Sequence, residues 1–148
     1  MTIRQANLDD IETLTELTEE FVATMPPGFP YQRSAWSVFL ENSINSPDSL
    51  VLVQDNGGGL IVGSLFQNAF SGTLCANEVL WYTRPQYRGT GMKLLFSFRD
   101  WAREKQAFYI YLSLAQESPA LEKLGFLHTQ ETCYMARFEP DLGQFVAY

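Results

Sequence analysis

The segment WYTRPQYRGTGMKLLFSFRDWAR, from Trp81 to Arg103, holds the residues whose types and spacing most invite chemistry. An apolar strand ends at Thr83, Pro85 sets a turn, and a loop with Gly89 and Gly91 opens directly into a helix. A helix start presents backbone amides with the helix dipole behind them, which favours an anion. Gly89 and Gly91 remove side chains so that backbone can approach a phosphate, and Arg88 and Lys93 add positive charge beside it. The same spacing also makes a tight strand-to-helix turn with a basic rim and no ligand, because a short glycine pattern is a weak signal. A phosphate loop of the GxxxxGKS kind is ruled out, since its lysine and hydroxyl spacing is absent.

Other reactive side chains are sparse. Cys75 and Cys133 lie far apart and outside any CxxC pattern, so no disulfide framework or metal site is expected, and both read as small core or near-core residues. His128 is the single histidine and follows Gly125 and Phe126 at what reads as the start of a strand. A histidine-based triad would need it as base, yet no GxSxG elbow supplies a nucleophile; a half-exposed strand residue is the expectation.

The elements that must position the glycine loop follow from periodicity. Ile3 to Ala6 reads as a strand, and Asn7 caps a helix with Asp9 and Asp10 in its first turn. Leu8, Ile11, Leu14, Leu17, Phe21 and Met25 recur at helical spacing until Pro26, Pro27 and Gly28 stop them. A second helix is expected from the cap Ser34 to Ile44, with Trp36, Phe39, Leu40 and Ile44 facing inward. Leu50 to Gln54 and Leu60 to Phe66 are apolar runs joined by NGGG, a hairpin, and Leu74 to Thr83 is a third strand. Leu94, Leu95, Phe98, Trp101 and Ala102 mark an amphipathic helix between Gly91 and Ala107. Phe108 to Leu114 reads as strand, Pro119 to Leu124 as a short helix stopped by Gly125, and Leu127 to Phe138 as room for a final hairpin.

Composition bounds the class. The chain of 148 residues is 46% apolar, 18% charged and 14% aromatic, as expected of one well-packed domain spanning 1–148 with no repeat or linker. A net charge of −7, from 10 Lys and Arg against 17 Asp and Glu, argues against nucleic acid as a partner. No apolar run is long enough for a membrane span, and the opening MTIRQANLDD lacks a signal peptide's apolar stretch, so no membrane association and a cytoplasmic location are expected.

With its flanks, the loop resembles the signature of the GCN5-related N-acetyltransferases, whose acetyl-CoA-binding loop follows a strand and reads Arg or Gln, two residues, Gly, one residue, Gly or Ala. Arg88 and Gly91 match in place, preceded by Pro85, Gln86 and Tyr87; the last position falls on Lys93, or on Met92 if the loop is one residue shorter. IRQANLDDIETLTELTEEF is similar to the family's first strand and helix, and LEKLGF to its late motif. The wording YxRPxYRG also resembles small members encoded by bacteria and their phages.

The resemblance implies an α/β fold, a single-domain, mostly antiparallel mixed sheet with two splayed central parallel strands flanked by helices. It implies acetyl-CoA as donor and no metal. The main chain of Trp81, Tyr82 and Thr83 would bond the pantetheine arm, and the amides of Arg88, Gly89, Thr90, Gly91, Met92 and Lys93 would take the pyrophosphate. The implied activity is direct acetyl transfer to a primary amine of a small molecule or protein, in a ternary complex. Glu78 is the candidate base, because it sits in the cofactor strand and by alternation shares a face with Leu80 and Tyr82. The family's thiolate-protonating tyrosine, four residues before Gly-Phe in the late motif, is replaced by Leu121; Tyr134 in the last hairpin, or Tyr111, are the substitutes, and Ser113 and Ser118 are further candidates to contact the cofactor. The acceptor is expected at Pro26 to Arg33 and at the final hairpin, with Phe29, Tyr31 and Trp36 offering apolar walls and the negative field favouring a cationic amine. A homodimer is compatible with this reading, as is a catalytically silent acyl-CoA-binding regulatory or interaction module.

Overall fold

The structure is a computed structural model that describes residues 2–139 and 144–146. Residues up to Ser113 make one compact unit and those from Leu114 a second.

In the first unit, β1 (Ile3–Gln5) leads to a reciprocal cap: the Asn7 side chain accepts from the Asp9 amide at 2.8 Å, and the Asp10 carboxylate accepts from the Asn7 amide at 2.8 Å. Asp10 also grips Arg4 of β1 at 2.7 and 2.8 Å. One 3-10 turn (Leu8–Asp10) then opens α1 (Ile11–Val22). The helix ends at Val22, short of Met25, where Pro26 disfavours helical backbone.

The second helix, α2 (Arg33–Ile44), is capped by the extended Gln32 with no side-chain bond, and Ser34 lies inside it. Arg33 anchors the start instead, pairing with Glu12 at 2.6 Å and Glu19 at 3.2 Å on α1. Trp36 faces inward and donates to Thr18 Oγ1 at 2.9 Å. Phe39 does not: it stacks on the Trp36 ring at 5.2 Å and stays 37% exposed.

β2 (Ser49–Gln54), β3 (Gly59–Gln67), β4 (Leu74–Thr83) and β5 (Tyr109–Tyr111) follow β1 in a five-stranded sheet of order β1-β2-β3-β4-β5. Every pairing is antiparallel except β4–β5, which is parallel. One face packs Leu14, Leu17 and Leu40 of α1 and α2 against Val51, Val53, Leu60, Val62 and Leu80. The other carries α3 (Gly91–Glu104), reached through a 3-10 turn (Pro85–Thr90). Gly63 makes room for the fully buried Phe98 ring of α3: a Cβ there would lie 2.4 Å from Phe98 Cε2.

The β3–β4 register slips between Val62 and Gly63, so that Leu80 opposes Val62 while Glu78 opposes Gly63, leaving Val79 as the extra residue. Such a bulge bends its strand and raises the local twist. β5 accordingly pairs with β4 only over Cys75 to Asn77, and the strand expected to reach Leu114 ends at Tyr111.

In the second unit, α4 (Pro119–Lys123) ends at Gly125, whose φ of 95° needs glycine. The Phe126 amide bonds the Leu121 carbonyl at 3.1 Å and the Gly125 amide that of Glu122 at 3.0 Å, a Schellman closure. Residues 127–136 have no regular structure, so the expected hairpin moves toward the C-terminus as β6 (Arg137–Glu139) paired with β7 (Gln144–Val146). His128 therefore lies outside any strand and is exposed. Cys75 is buried as expected, whereas Cys133 is exposed. Among the described residues no helix is long and apolar enough to cross a membrane, and no cluster of three His, Cys, Asp or Glu could hold a metal ion.

Candidate functional site: an opened strand edge beside a glycine turn

The site begins where β4 and β5 part. Pairing stops at Asn77 and Tyr111, so Glu78 to Thr83 of β4 have no partner on the β5 side within the sheet. Which groups face that opening follows from the register. The Arg84 amide donates to the directly opposite Gly58 carbonyl at 2.8 Å, so alternation makes Tyr82/Leu60 and Leu80/Val62 the hydrogen-bonded pairs. The main-chain groups of Trp81 and Thr83 consequently point into the opening. Those of Tyr82 are engaged by β3, which corrects the expectation that all three residues present free backbone there.

Glu78 sits at the fork. It is 5% exposed, and the Ser113 amide, two residues past the end of β5, donates to its Oε2 at 3.2 Å. Burial pushes its carboxyl from 4.5 up to about 7, against the smaller opposing pull of the Ser113 amide. The bulge at Val79 changes its face: Glu78 opposes Gly63, whose missing Cβ points at Phe98, so Glu78 lies on the α3 side of the sheet and not with Leu80 and Tyr82.

The glycine turn stands at the end of the same strand. Gly91 is the first residue of α3, and a Cβ on it would come 2.8 Å from Thr83 Oγ1 and 3.4 Å from Thr83 Cβ, so this glycine is required by the chain's own packing. Its amide donates to the Arg88 carbonyl and is engaged inside the turn. Met92 and Lys93, in the first turn of α3, have amides with no carbonyl partner inside that helix. Gly89 differs from Gly91, since a Cβ there would meet nothing within 4 Å. Arg88 and Lys93 are exposed, Thr90 and Met92 half-buried. Trp81 fastens the turn to the strand by donating Nε1–H to the Gly91 carbonyl at 3.1 Å.

Two features escaped sequence reasoning. Gln54, which follows the run LVLV and ends β2, is 1% exposed and donates Nε2–H to Thr90 Oγ1 at 3.0 Å; a glutamine closing an apolar strand is the available signal. The second is a lock at the end of β4: Arg84 pairs with Glu20 of α1 at 2.8 Å and donates to the Gly57 carbonyl at 3.1 Å, while Tyr82 donates to Glu20 at 3.3 Å. Arg84 holds the Glu20 carboxyl below its ordinary value, and burial raises the Tyr82 phenol.

Phe29 is 36% exposed and meets Phe21 edge-on at 6.1 Å, and Phe21 meets Tyr82 at 6.3 Å, so an aromatic run leads from the first helical connection to the end of β4. Tyr31 donates to Glu19 Oε1 at 3.1 Å. Tyr111 packs against Phe66 at 5.8 Å, as an ordinary sheet residue does. Tyr134, expected in a strand, precedes β6 in the second unit and is 90% exposed. Leu121 is buried in α4, and Ser118 stands at that helix's N-cap without a side-chain bond.

No family model matches the chain and no curated protein matches its sequence. Solved structures do match in fold. A predicted acetyltransferase from Clostridium acetobutylicum, solved with acetyl-CoA, superimposes with a TM-score of 0.75 at 18% identity, over 90% of this chain and 94% of that one. The aminoglycoside antibiotic 6'-N-acetyltransferase of Acinetobacter haemolyticus gives 0.70 at 16%, over 94% and 99%. A protein described as a transcriptional regulator from Bacillus halodurans gives 0.71 at 21%, over 90% and 97%. With its bulged strand, its parting parallel pair and its glycine turn opening a helix, this chain has the fold of the GCN5-related N-acetyltransferases.

Proposed function

We propose that the chain is an acetyl-CoA-dependent N-acetyltransferase that passes an acetyl group to the primary amine of a small molecule or protein, by direct attack in a ternary complex. The observation that carries this reading is the fork. A strand with free main-chain groups at Trp81 and Thr83 adjoins a buried carboxylate at Glu78, and the same strand runs into a turn open at Gly89.

The residues present fit an acyl-CoA donor, which supplies an acetyl group activated as a thioester. Trp81 and Thr83 would bond the pantetheine arm through main chain. The diphosphate would meet the amides of Met92 and Lys93 with the charges of Arg88 and Lys93, Gly89 leaving space for the approach. Glu78, at about 7, is matched to taking a proton from an ammonium near neutral pH. A thiolate with a solution pKa near ~8.5 leaves without strong acid help. The acceptor is assigned to Phe29 and Tyr31, which lie on the α1 side of the sheet, so that its amine would meet Glu78 on the α3 side through the gap between β4 and β5; the net charge of −7 favours a cationic amine.

A second reading, a silent acyl-CoA-binding regulatory or interaction module, draws on one observation: the late-motif tyrosine position holds the buried Leu121. Isothermal titration with acetyl-CoA and CoA, then thiol release across a panel of amines, separates the two. Binding with turnover supports the enzyme, binding without turnover on any amine supports the module, and no binding refutes both.

A further inference from the structure

We infer that Gln54 is a positioning residue that clamps the glycine turn for its anionic ligand; the inference rests on the acetyl-CoA reading above and deepens it. Gln54 ends β2 on the same side of the sheet as α3, because Val51 and Val53, with which it alternates, pack on the α1 and α2 side. Its Nε2–H reaches across 36 residues of sequence to Thr90 Oγ1 at 3.0 Å and to the Thr90 carbonyl at 3.4 Å. Thr90 Oγ1 in turn donates to the Tyr87 carbonyl at 2.7 Å. A continuous chain of donors therefore runs from the end of β2, through the residue that precedes α3, into the middle of the turn. Hydrogen bonds linked in this way reinforce one another away from water.

The cost of this arrangement is visible. Gln54 Oε1 is buried with no partner, and among the described residues the only other such side-chain atom is Thr83 Oγ1, which lies against Gly91 at the mouth of the same turn. A leucine or valine at residue 54 would continue the apolar run without an orphaned acceptor, so burial alone does not account for the amide. Places where a fold bears such a local conflict are where function is looked for. What the amide accomplishes is geometric: it fixes Thr90, and with it the direction in which the first amides of α3 point.

The test uses Gln54→Met and Thr90→Val, each of similar size and lacking one member of the chain, with Thr90→Ser as the conservative variant. Amide hydrogen exchange on the ligand-free protein is the first arm. Gln54→Met and Thr90→Val should speed exchange at residues 88–93 by roughly tenfold, Thr90→Ser should not, and equal rates in all would overturn the clamp. The second arm is CoA affinity and kinetics. Gln54→Met should raise the Kd for CoA and the KM for acetyl-CoA roughly tenfold, equivalent to ~1.4 kcal/mol, with kcat at saturating donor unchanged. S-acetylpantetheine, which lacks the diphosphate, should show an unaltered KM with the same variant. A general structural lesion would impair both donors alike, and that result would overturn the inference. Wild-type protein that takes no CoA refutes the acetyl-CoA reading by itself, while the exchange arm still decides whether Gln54 holds the turn.

Discussion

Replacing Glu78 with glutamine changes almost no volume and removes one titrating group, so its effect on stability isolates the burial of that carboxyl. Glu78 is 5% exposed and, among the described residues, its one hydrogen bond is from the Ser113 amide, which a glutamine carbonyl can equally accept. Its carboxyl titrates at about 7 in the fold against an ordinary 4.5. Between those values the folded chain keeps a proton that the unfolded chain releases, so wild-type stability falls as pH rises through this window and is level above it. At 1.36 kcal/mol per pH unit, the span from 4.5 to about 7 amounts to about 3 kcal/mol. Glu78→Gln should therefore match wild type near pH 4 and exceed it by about 3 kcal/mol at pH 8, a shift of roughly 1–3 M in the urea midpoint. All other carboxylates titrate in both proteins and cancel in the difference. Trp36, Trp81 and Trp101 all lie in the first unit, so their fluorescence follows the unit that contains Glu78. A difference between the two proteins that is the same at every pH would refute the argument.

The remaining expectations concern catalysis, the turn, the core and the α1 lock. Under the proposed mechanism, the turnover gap between wild type and Glu78→Gln should be widest between pH ~7 and the pKa of the amine, about 10; parallel pH profiles would remove Glu78 from the reaction. Gly89→Val should leave the unfolding free energy within ~0.5 kcal/mol of wild type yet raise the CoA Kd roughly tenfold. Gly91→Val should instead lose about 1–3 kcal/mol of stability through its clash with Thr83, so equal stability of the two valine variants would contradict the packing described. Gly63→Ala should cost about 1–3 kcal/mol, because its Cβ would lie 2.4 Å from the fully buried Phe98 ring, and an unshifted melting temperature would oppose this. Glu20, held below its ordinary value by Arg84, contributes stability that is present above pH ~4.5 and lost as the pH falls further. With the Glu20 side chain 40% exposed, that contribution should stay under ~1 kcal/mol in a Glu20→Gln comparison.

How legible the molecule was depends on how local each signal is. β4 is found at its full length, Leu74–Thr83, because an apolar run bounded by turn residues needs no tertiary information. The Asn7 cap is equally local, as Asn7 and Asp10 answer each other across three residues. Ser34 fails as a cap for the opposite reason: Arg33 is drawn into the helix by Glu12 and Glu19, which belong to another element. The face of Glu78 departs from simple alternation because a bulge inserts one residue at Val79, and nothing in VLWYT announces it. Gly89 and Gly91 look alike in the sequence. They separate only when Thr83 is seen beneath one of them and nothing near the other. β5 ends early because β4 has turned away from it, an event that begins on another strand.

The central claim concerns which backbone groups along β4 await a donor, and residue-resolved amide hydrogen exchange with and without CoA addresses it most directly. Saturating CoA should slow exchange at Trp81 and Thr83 and leave Leu80 and Tyr82, already bonded to β3, as they were. Protection that appears evenly across residues 80–83, or at none of them, would contradict the assignment of this strand edge as the binding site.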